Sequence, residues 1–492
     1  MNVSPPTNQL PRVLGPWMAI ALVIGTIIGS GVFKKATSVS KNVDEFGLVV
    51  IAWVLAGIIT LIGALILAEV AVLLPKAGGN YVFLKEGYGR WAGFLWGWVE
   101  FWIIRSGSIA ALSTIFAEQV HAILREVRGT HEDVLSFWAM QGMTVTVITV
   151  LSFVNSRGTR LGGGLQLVIT IVKVTSLVLI ALLPFIVVSF ANEPRVRPTT
   201  EYLSPMWPTE WNTAKLSLFG GALIGVFWAY HGWMNIAPVA EEVKDPHRNI
   251  PLALFVGVFG VIVLYVSVNI AYYLVLPRSE IIAIKGRTVA GEFSLKLLGS
   301  IGILLASTAV MMSVFGALNG NLLVGPRLLF AMGRDGLAPR SLARLHPRFQ
   351  TPALAGMVLS SWAILLVVCV GLLTQHRLPV LDLGFVTLDV NLPAGKEPFD
   401  VVTDFAMFGA ISFETLAVAS IFVLRRSYPR HDVQVPYRCP LFPWLPIVYV
   451  AFMGAVLFNM FTTQRAESLI GVGFMLVGAA IYALFLARRK GT

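Results

Sequence analysis

Cysteine is almost missing from this 492-residue chain: there are two, Cys369 inside an apolar run and Cys439 in a basic loop. Thiols so placed predict no structural disulfide, and neither a metal-ligating spacing nor a redox pair is present. Charge is scarce as well. Only 13% of residues are charged against 56% hydrophobic, about half the charged fraction of soluble domains, which excludes a water-soluble globular fold. HExxH, GxSxG and Walker sequences are missing, so no enzyme chemistry, metal or cofactor is expected. Nor is there a concentrated basic element. The formal charge of +11 is spread between apolar runs, which argues against a nucleic-acid partner.

Long apolar runs fill the chain instead. Twelve are long enough to cross a hydrocarbon core of about 30 Å, the first at 13–36, the sixth at 214–239 and the last at 467–487. The expected fold is an all-α polytopic membrane protein whose main partner is the lipid bilayer. The first run lacks a small-residue cleavage site and is expected to be retained; neither end carries a lipidation signal. An even number of spans puts both termini on one side. With that side inside, the inner ends hold Arg12, Lys76, Lys85, Arg157, Arg344, Arg425 and the terminal Arg488, Arg489 and Lys490 among others, while the outer loops are near charge balance. Both termini are therefore expected in the cytoplasm, with the chain in the cell (inner or plasma) membrane. Segments 191–213 and 375–400 read as outer loops. Segment 333–349 alternates basic and apolar residues and is expected to lie on the inner membrane surface.

Within the first run, Gly25-Thr26-Ile27-Ile28-Gly29-Ser30-Gly31 interrupts what should be a continuous helix. Unpaired backbone in hydrocarbon is tolerated only where it lines a protein-enclosed cavity. A second interruption is read at Ala229-Tyr230-His231-Gly232, just after Trp228, in the sixth run. Each break creates half-helix ends at membrane depth, whose amides suit a carboxylate and whose carbonyls suit an ammonium. An α-amino acid carries both groups. The amides of Gly29, Ser30 and Gly31 are the expected carboxylate cradle, and the carbonyls near Thr26 and Ile27 the expected amine acceptors. Close helix packing by small residues is the competing reading, since Gly25 and Gly29 form a GxxxG pair.

Four stretches carry a family resemblance: GTIIGSGVF at 25–33, PKAGGNYVFLKEGYG at 75–89, FWAYHGWMNIAPVAEEVKDPHRNIP at 227–251, and SVFGALNGNLLVGPRLLFAMGRDGLAP at 313–339. Their order and spacing, over essentially the whole chain, resemble the amino acid–polyamine–organocation superfamily, and within it the L-type amino acid transporter branch. The resemblance implies a five-plus-five inverted repeat with broken first and sixth helices: 13–190 as the first repeat, 214–424 as the second, and 441–487 as two appended spans. That the two interrupted spans hold equivalent positions in the halves agrees with this.

Further residue roles follow from the residues and the resemblance together. Trp228 stands where the branch usually has Phe, as an aromatic gate over substrate or as ordinary packing. His231 replaces a common glycine, as a pocket-lining ring or a satisfied packing residue. Lys173 lies twelve residues beyond Leu161 in the fifth span. A centred charge costs about 2.5–3.5 kcal/mol and must face the bundle. The resemblance implies that this ammonium replaces the sodium ion of sodium-coupled relatives, tying the fifth span to the first near Gly15 and to the eighth through Ser313; a purely structural lysine is the alternative. Arg105, five residues after Glu100, is expected to contact carbonyls or a carboxylate. Asn319 either hydrogen-bonds the mobile bundle or lines the substrate route. Glu241, Glu242 and Lys244 are expected to form an inner-gate ion network rather than a catalytic pair. The implied function is a sodium-independent secondary active amino acid transporter, an exchanger or a proton symporter working by alternating access. A non-transporting amino-acid sensor that keeps the fold is the alternative. Human-type members bind a single-span glycoprotein through a cysteine after the third span; 125–133 has none, so no disulfide-linked heavy subunit is expected.

Overall fold

The computed structural model describes residues 10–130, 132–190, 195–375, 381–382, 387–388, 398–428 and 436–486. Most of the expected loop 375–400 lies outside these residues, as do His131 of the 125–133 loop, 191–194 and the terminal Arg488, Arg489 and Lys490. In lipid every backbone polar group must be satisfied within its own segment, so apolar runs of this length become helices. Among the described residues twelve helices are long and apolar enough to cross a membrane: spans 1 to 12 at Pro16–Asn42, Phe46–Leu73, Arg90–Arg128, Phe137–Ser156, Thr159–Phe190, Thr213–Glu242, Pro246–Val275, Ser300–Arg334, Ala353–Leu373, Met407–Ser427, Trp444–Thr463 and Glu467–Leu486. The chain is a multi-pass integral membrane protein. Strand pairing among the described residues is confined to Leu381–Asp382 with Thr387–Leu388 and a parallel bridge between Leu14 and Val243.

Span 1 occupies the centre, packed against spans 5, 7 and 8 and the second half of span 6. Span 8 packs most extensively on span 3, and span 7 on span 2. Spans 11 and 12 flank span 10 at the periphery. Ile171, Leu179 and Phe185 on span 5 and Leu476 and Phe485 near the end of the chain are exposed, as side chains facing lipid would be.

Span 1 is helical over Pro16–Ile27, with Pro16 at its first turn, and again over Gly31–Asn42. Between them Ile28 is extended. Span 6 is helical over Thr213–Tyr230, His231 is extended, and Gly232 takes φ +107° before a 3-10 segment at Trp233–Glu242. A side chain at that φ would be strained, and a Cβ on Gly232 would stand 2.6 Å from the Thr26 carbonyl oxygen. Span 3 contains a π turn at Glu100–Arg105. In an α-helix residues five apart diverge; the i→i+5 turn returns Glu100 and Arg105 to one face.

Several features escaped the sequence reading. Short helices form at Asn80–Tyr88, Arg278–Ala283 and Val289–Leu298, where mixed polar and apolar residues mask the period. Segment 333–349 bends through a 3-10 turn at Arg340–Ala343 that buries Leu342 and Ala343, and Leu345 packs on Leu10, Ala77 and Phe330.

Candidate functional site at the helix interruptions

A helix end leaves its last four carbonyls unpaired. Here these belong to Gly25, Thr26, Ile27 and Ile28. Lys173, itself buried on span 5, donates through Nζ to the carbonyls of Gly25 and Ile28, each at 2.7 Å. Ser313 Oγ on span 8 donates to Gly29 O at 2.8 Å and lies 3.3 Å from Ile28 O. Tyr265 on span 7 donates to Ile27 O at 3.2 Å and lies 3.1 Å from Ala229 O, so one hydroxyl joins both interruptions. Thr26 Oγ1 likewise crosses over, at 3.0 Å from Gly232 O. Among the described residues this leaves the Thr26 carbonyl as the acceptor without a donor.

Two expectations need correction. Lys173 does not reach Gly15: that residue is the N-cap of span 1, ten positions before Gly25, and the ammonium goes instead to the carbonyls that the break releases. The Ile27 carbonyl, expected to face a substrate amine, already accepts from Tyr265. On the amide side, Ser30 makes no side-chain cap for the helix that begins at Gly31. The glycines there differ. A Cβ on Gly31 would stand 2.5 Å from the Ala229 Cα, whereas on Gly29 it would meet Leu112 and Ala317 at 3.6 and 3.7 Å, ordinary contact distances. Gly31 and Ala229 are thus a close backbone crossing, and Gly25 is similarly packed on Gln166 and Thr170.

Below the second interruption, Arg105 is buried and fully engaged. Its Nε donates to Glu100 Oε1 at 2.8 Å, Nη1 to Asn321 Oδ1 at 2.7 Å and Nη2 to Asn235 Oδ1 at 2.9 Å. One guanidinium therefore ties spans 3, 8 and 6. Beside it, His231 Nε2 lies 3.1 Å from Glu414 Oε1 on span 10. Trp228 is half-buried and stacks parallel to His231, ring centroids 6.0 Å apart. His231 and Glu414 border two cavities. One is also lined by Asn80, Glu100, Arg105 and Asn235. The other is lined by Phe227, Tyr230, Trp233 and Tyr449 among others. Neither lining includes Gly29, Ser30 or Gly31.

Asn319 accepts from Asn155 Nδ2 and donates to Gln166 Oε1, at 2.9 and 2.8 Å, linking spans 4, 8 and 5. This is bundle bonding; Asn319 lines neither cavity. At the end of span 6, Glu242 is fully buried and held by Arg327 through Nε at 2.7 Å and Nη2 at 3.1 Å, with Thr159 on the same Nη2. Glu241 accepts from the amides of Leu10 and Ala77, both at 3.0 Å, and from Arg334 at 3.1 Å. Lys244 joins by its backbone instead of its charge: its amide donates to Leu14 O at 2.8 Å and its side chain is exposed. Nearby, Asp335 accepts from Tyr81 at 2.7 Å and Lys85 at 2.9 Å. Burial, then the Asp335 carboxylate, pushes the Tyr81 phenol well up, so it stays a donor.

Sequence reasoning missed Glu414, Arg327, Tyr265, Asn235 and Gln166. Glu414 and Arg327 could have been found by the argument that singled out Lys173, since each is a charge inside an apolar run. The hydroxyl and amides carry no such signal.

Long apolar helices, two of them interrupted with donors and acceptors gathered at the breaks, define a polytopic membrane protein. The family model described as amino acid permease matches residues 14–486. The chain is 30% identical to large neutral amino acids transporter small subunit 2 of Mus musculus over 475 residues, 96% of this chain and 81% of that one. It is 29% identical to the serine/threonine exchanger SteT of Bacillus subtilis (strain 168) over 477 residues, covering 96% and 97%. Identity to the b(0,+)-type amino acid transporter 1 of Mus musculus is 26% over 485 residues, covering 99% and 90%. The chain belongs to the amino acid permease family, in the L-type branch of the amino acid–polyamine–organocation superfamily.

Proposed function

We propose that this protein is a secondary active transporter that exchanges amino acids across the membrane by alternating access and needs no sodium. The observation that carries the reading is the Lys173 ammonium on the Gly25 and Ile28 carbonyls, with Ser313 beside it. A lysine there brings to freed carbonyls the donors, and when protonated the charge, that a bound metal ion would otherwise supply, and with Ser313 it couples span 5 and span 8 to the broken span 1. The amides of Gly29, Ser30 and Gly31 take the substrate carboxylate, and the Thr26 carbonyl takes its ammonium. Trp228 covers the site, and His231 borders the side-chain pocket. The Glu241, Glu242 and Arg327 cluster, with Arg334, closes the inner end and must part in each cycle. Segments 13–190 and 214–424 act as the two inverted repeats, with 441–487 appended and both termini in the cytoplasm of a cell-membrane protein. The names of the relatives, all transporters or an exchanger, support transport over catalysis, and the bacterial exchanger supports exchange over net uptake. Two murine and human relatives are named as small subunits; without a cysteine in 125–133 this chain works without a disulfide-linked partner.

Counterflow tests the reading. Purified protein in liposomes loaded with unlabelled amino acid should accumulate the same labelled amino acid in sodium-free buffer. Saturable binding without flux under any gradient identifies a sensor instead. Uptake driven by an inward proton gradient, with no requirement for internal amino acid, identifies proton symport.

A further inference from the structure

The charges around His231 do not balance as those around Arg105 do. Glu100 and Arg105 neutralise each other, and Asn235 and Asn321 each accept one further guanidinium hydrogen bond. Glu414, buried on span 10, is left with His231 at 3.1 Å. Of these four ionisable groups only histidine changes charge near neutral pH. With His231 charged, the cluster sums to zero; with it neutral, one carboxylate is buried without a counter-ion, which is costly. The site therefore calls for one positive charge, from a proton on His231 or from something else.

Beside Glu414, Phe227, Tyr230, Trp233 and Tyr449 line the second cavity. The Tyr230 hydroxyl is tied to Trp53 O at 3.1 Å, so it is not a free polar group of the cavity wall. Aromatic walls around one carboxylate recognise ammonium and guanidinium groups by cation–π attraction and charge-assisted hydrogen bonds.

We propose that Glu414 and these four aromatic residues form a subsite for the cationic side chain of an amino acid substrate, and that His231 is the alternative counter-ion which that cation replaces. The proposal rests on the amino-acid exchange reading and names its substrate class. The substrate's α-carboxylate and α-ammonium stay at the span 1 break while its side chain passes His231 towards span 10. As the cation enters, the imidazolium gives its proton to water. The ionisable groups on the surrounding elements are Glu100 and Arg105 on span 3, Tyr230 on span 6, Glu414 on span 10 and Tyr449 on span 11.

Counterflow of labelled arginine and lysine by the full-length protein, with serine and leucine as neutral references, tests it at about pH 5.5 and about pH 8. Arginine exchange relative to the neutral references should rise about tenfold with pH. Glu414→Gln should lower that ratio about tenfold and flatten its pH response, Glu414→Asp should restore part of it, and His231→Gln should remove the pH response while arginine still exchanges. Because Glu414→Gln could fail to fold, inhibition of neutral exchange by arginine is also measured on the unaltered protein at both pH values, where it should be stronger at the higher one. The proposal is overturned if neutral amino acids exchange but arginine and lysine neither exchange nor compete, or if the Glu414→Gln ratio matches that of the unaltered protein. Should no amino acid of either class exchange, it is the exchange reading itself that fails.

Discussion

The two helix interruptions are built from different materials. At span 1 the exposed groups are backbone carbonyls, and donors from three other spans, Lys173, Ser313 and Tyr265, come to them. At span 6 the freed backbone meets only two hydroxyls, of Tyr265 and Thr26, and what surrounds it is side-chain charge: His231 with Glu414, and Arg105 with Glu100 and two asparagines. Backbone groups are the same whatever the side chain, so a site made from them recognises what all amino acids share. A site made of side chains can be changed by substitution. The first interruption thus fits recognition of the amino acid backbone, and the second fits selection among side chains.

Changes at span 1 should therefore abolish exchange of every substrate, and changes at span 6 should alter its preference. The largest effect is expected for Lys173→Met, which leaves the Gly25 carbonyl without its donor, at about 1–3 kcal/mol, and the Ile28 carbonyl with the longer Ser313 contact alone. Counterflow of all amino acids should fall about a hundredfold, whereas a variant that exchanges normally in sodium-free buffer would make Lys173 an ordinary structural lysine. Next comes Glu242→Gln at the inner end. Removing one member of its buried pair with Arg327 should cost about 3–5 kcal/mol, read as a lowered unfolding temperature, while Arg334→Ala, at the more exposed pair with Glu241, should cost under about 1 kcal/mol. Equal effects would mean that the buried pair is not the stronger closure.

Smaller still is the contrast between two glycines. Gly31→Ala forces a methyl against the Ala229 backbone at a cost of about 1–3 kcal/mol by overpacking, and Gly29→Ala should be tolerated for stability. Thermal unfolding of the two variants side by side checks this, and reversed ranks would place the close crossing at Gly29. Least of all, Lys244→Ala should change stability and exchange within about 0.5 kcal/mol, because only its backbone is used.

Much of this was legible in the sequence and for definite reasons. The glycine cluster stood out because a lipid-spanning helix has no cause to contain it, and Lys173 because a centred cation must find partners. Those partners were not legible: carbonyl oxygens leave no mark on residue identity, so the ammonium was expected near Gly15 when its acceptors are the break itself. Asn319 offered two readings, and its bonds to Asn155 and Gln166 place it within the bundle. Lys244 looked like part of a charge network because its neighbours are, yet a parallel bridge between Leu14 and Val243 recruits its backbone. Glu414 was overlooked although it is as anomalous in span 10 as Lys173 is in span 5. The π turn at Glu100–Arg105, which brings an acid and a base five residues apart onto one face, has no sequence signature beyond that spacing.

The most direct test of the central claim is amino-acid counterflow by the unaltered protein and by Lys173→Met, each measured in sodium-containing and in sodium-free buffer. The account predicts equal exchange by the unaltered protein in both buffers and none by the variant in either. Exchange that requires sodium, or a variant that exchanges as well as the unaltered protein, would contradict it.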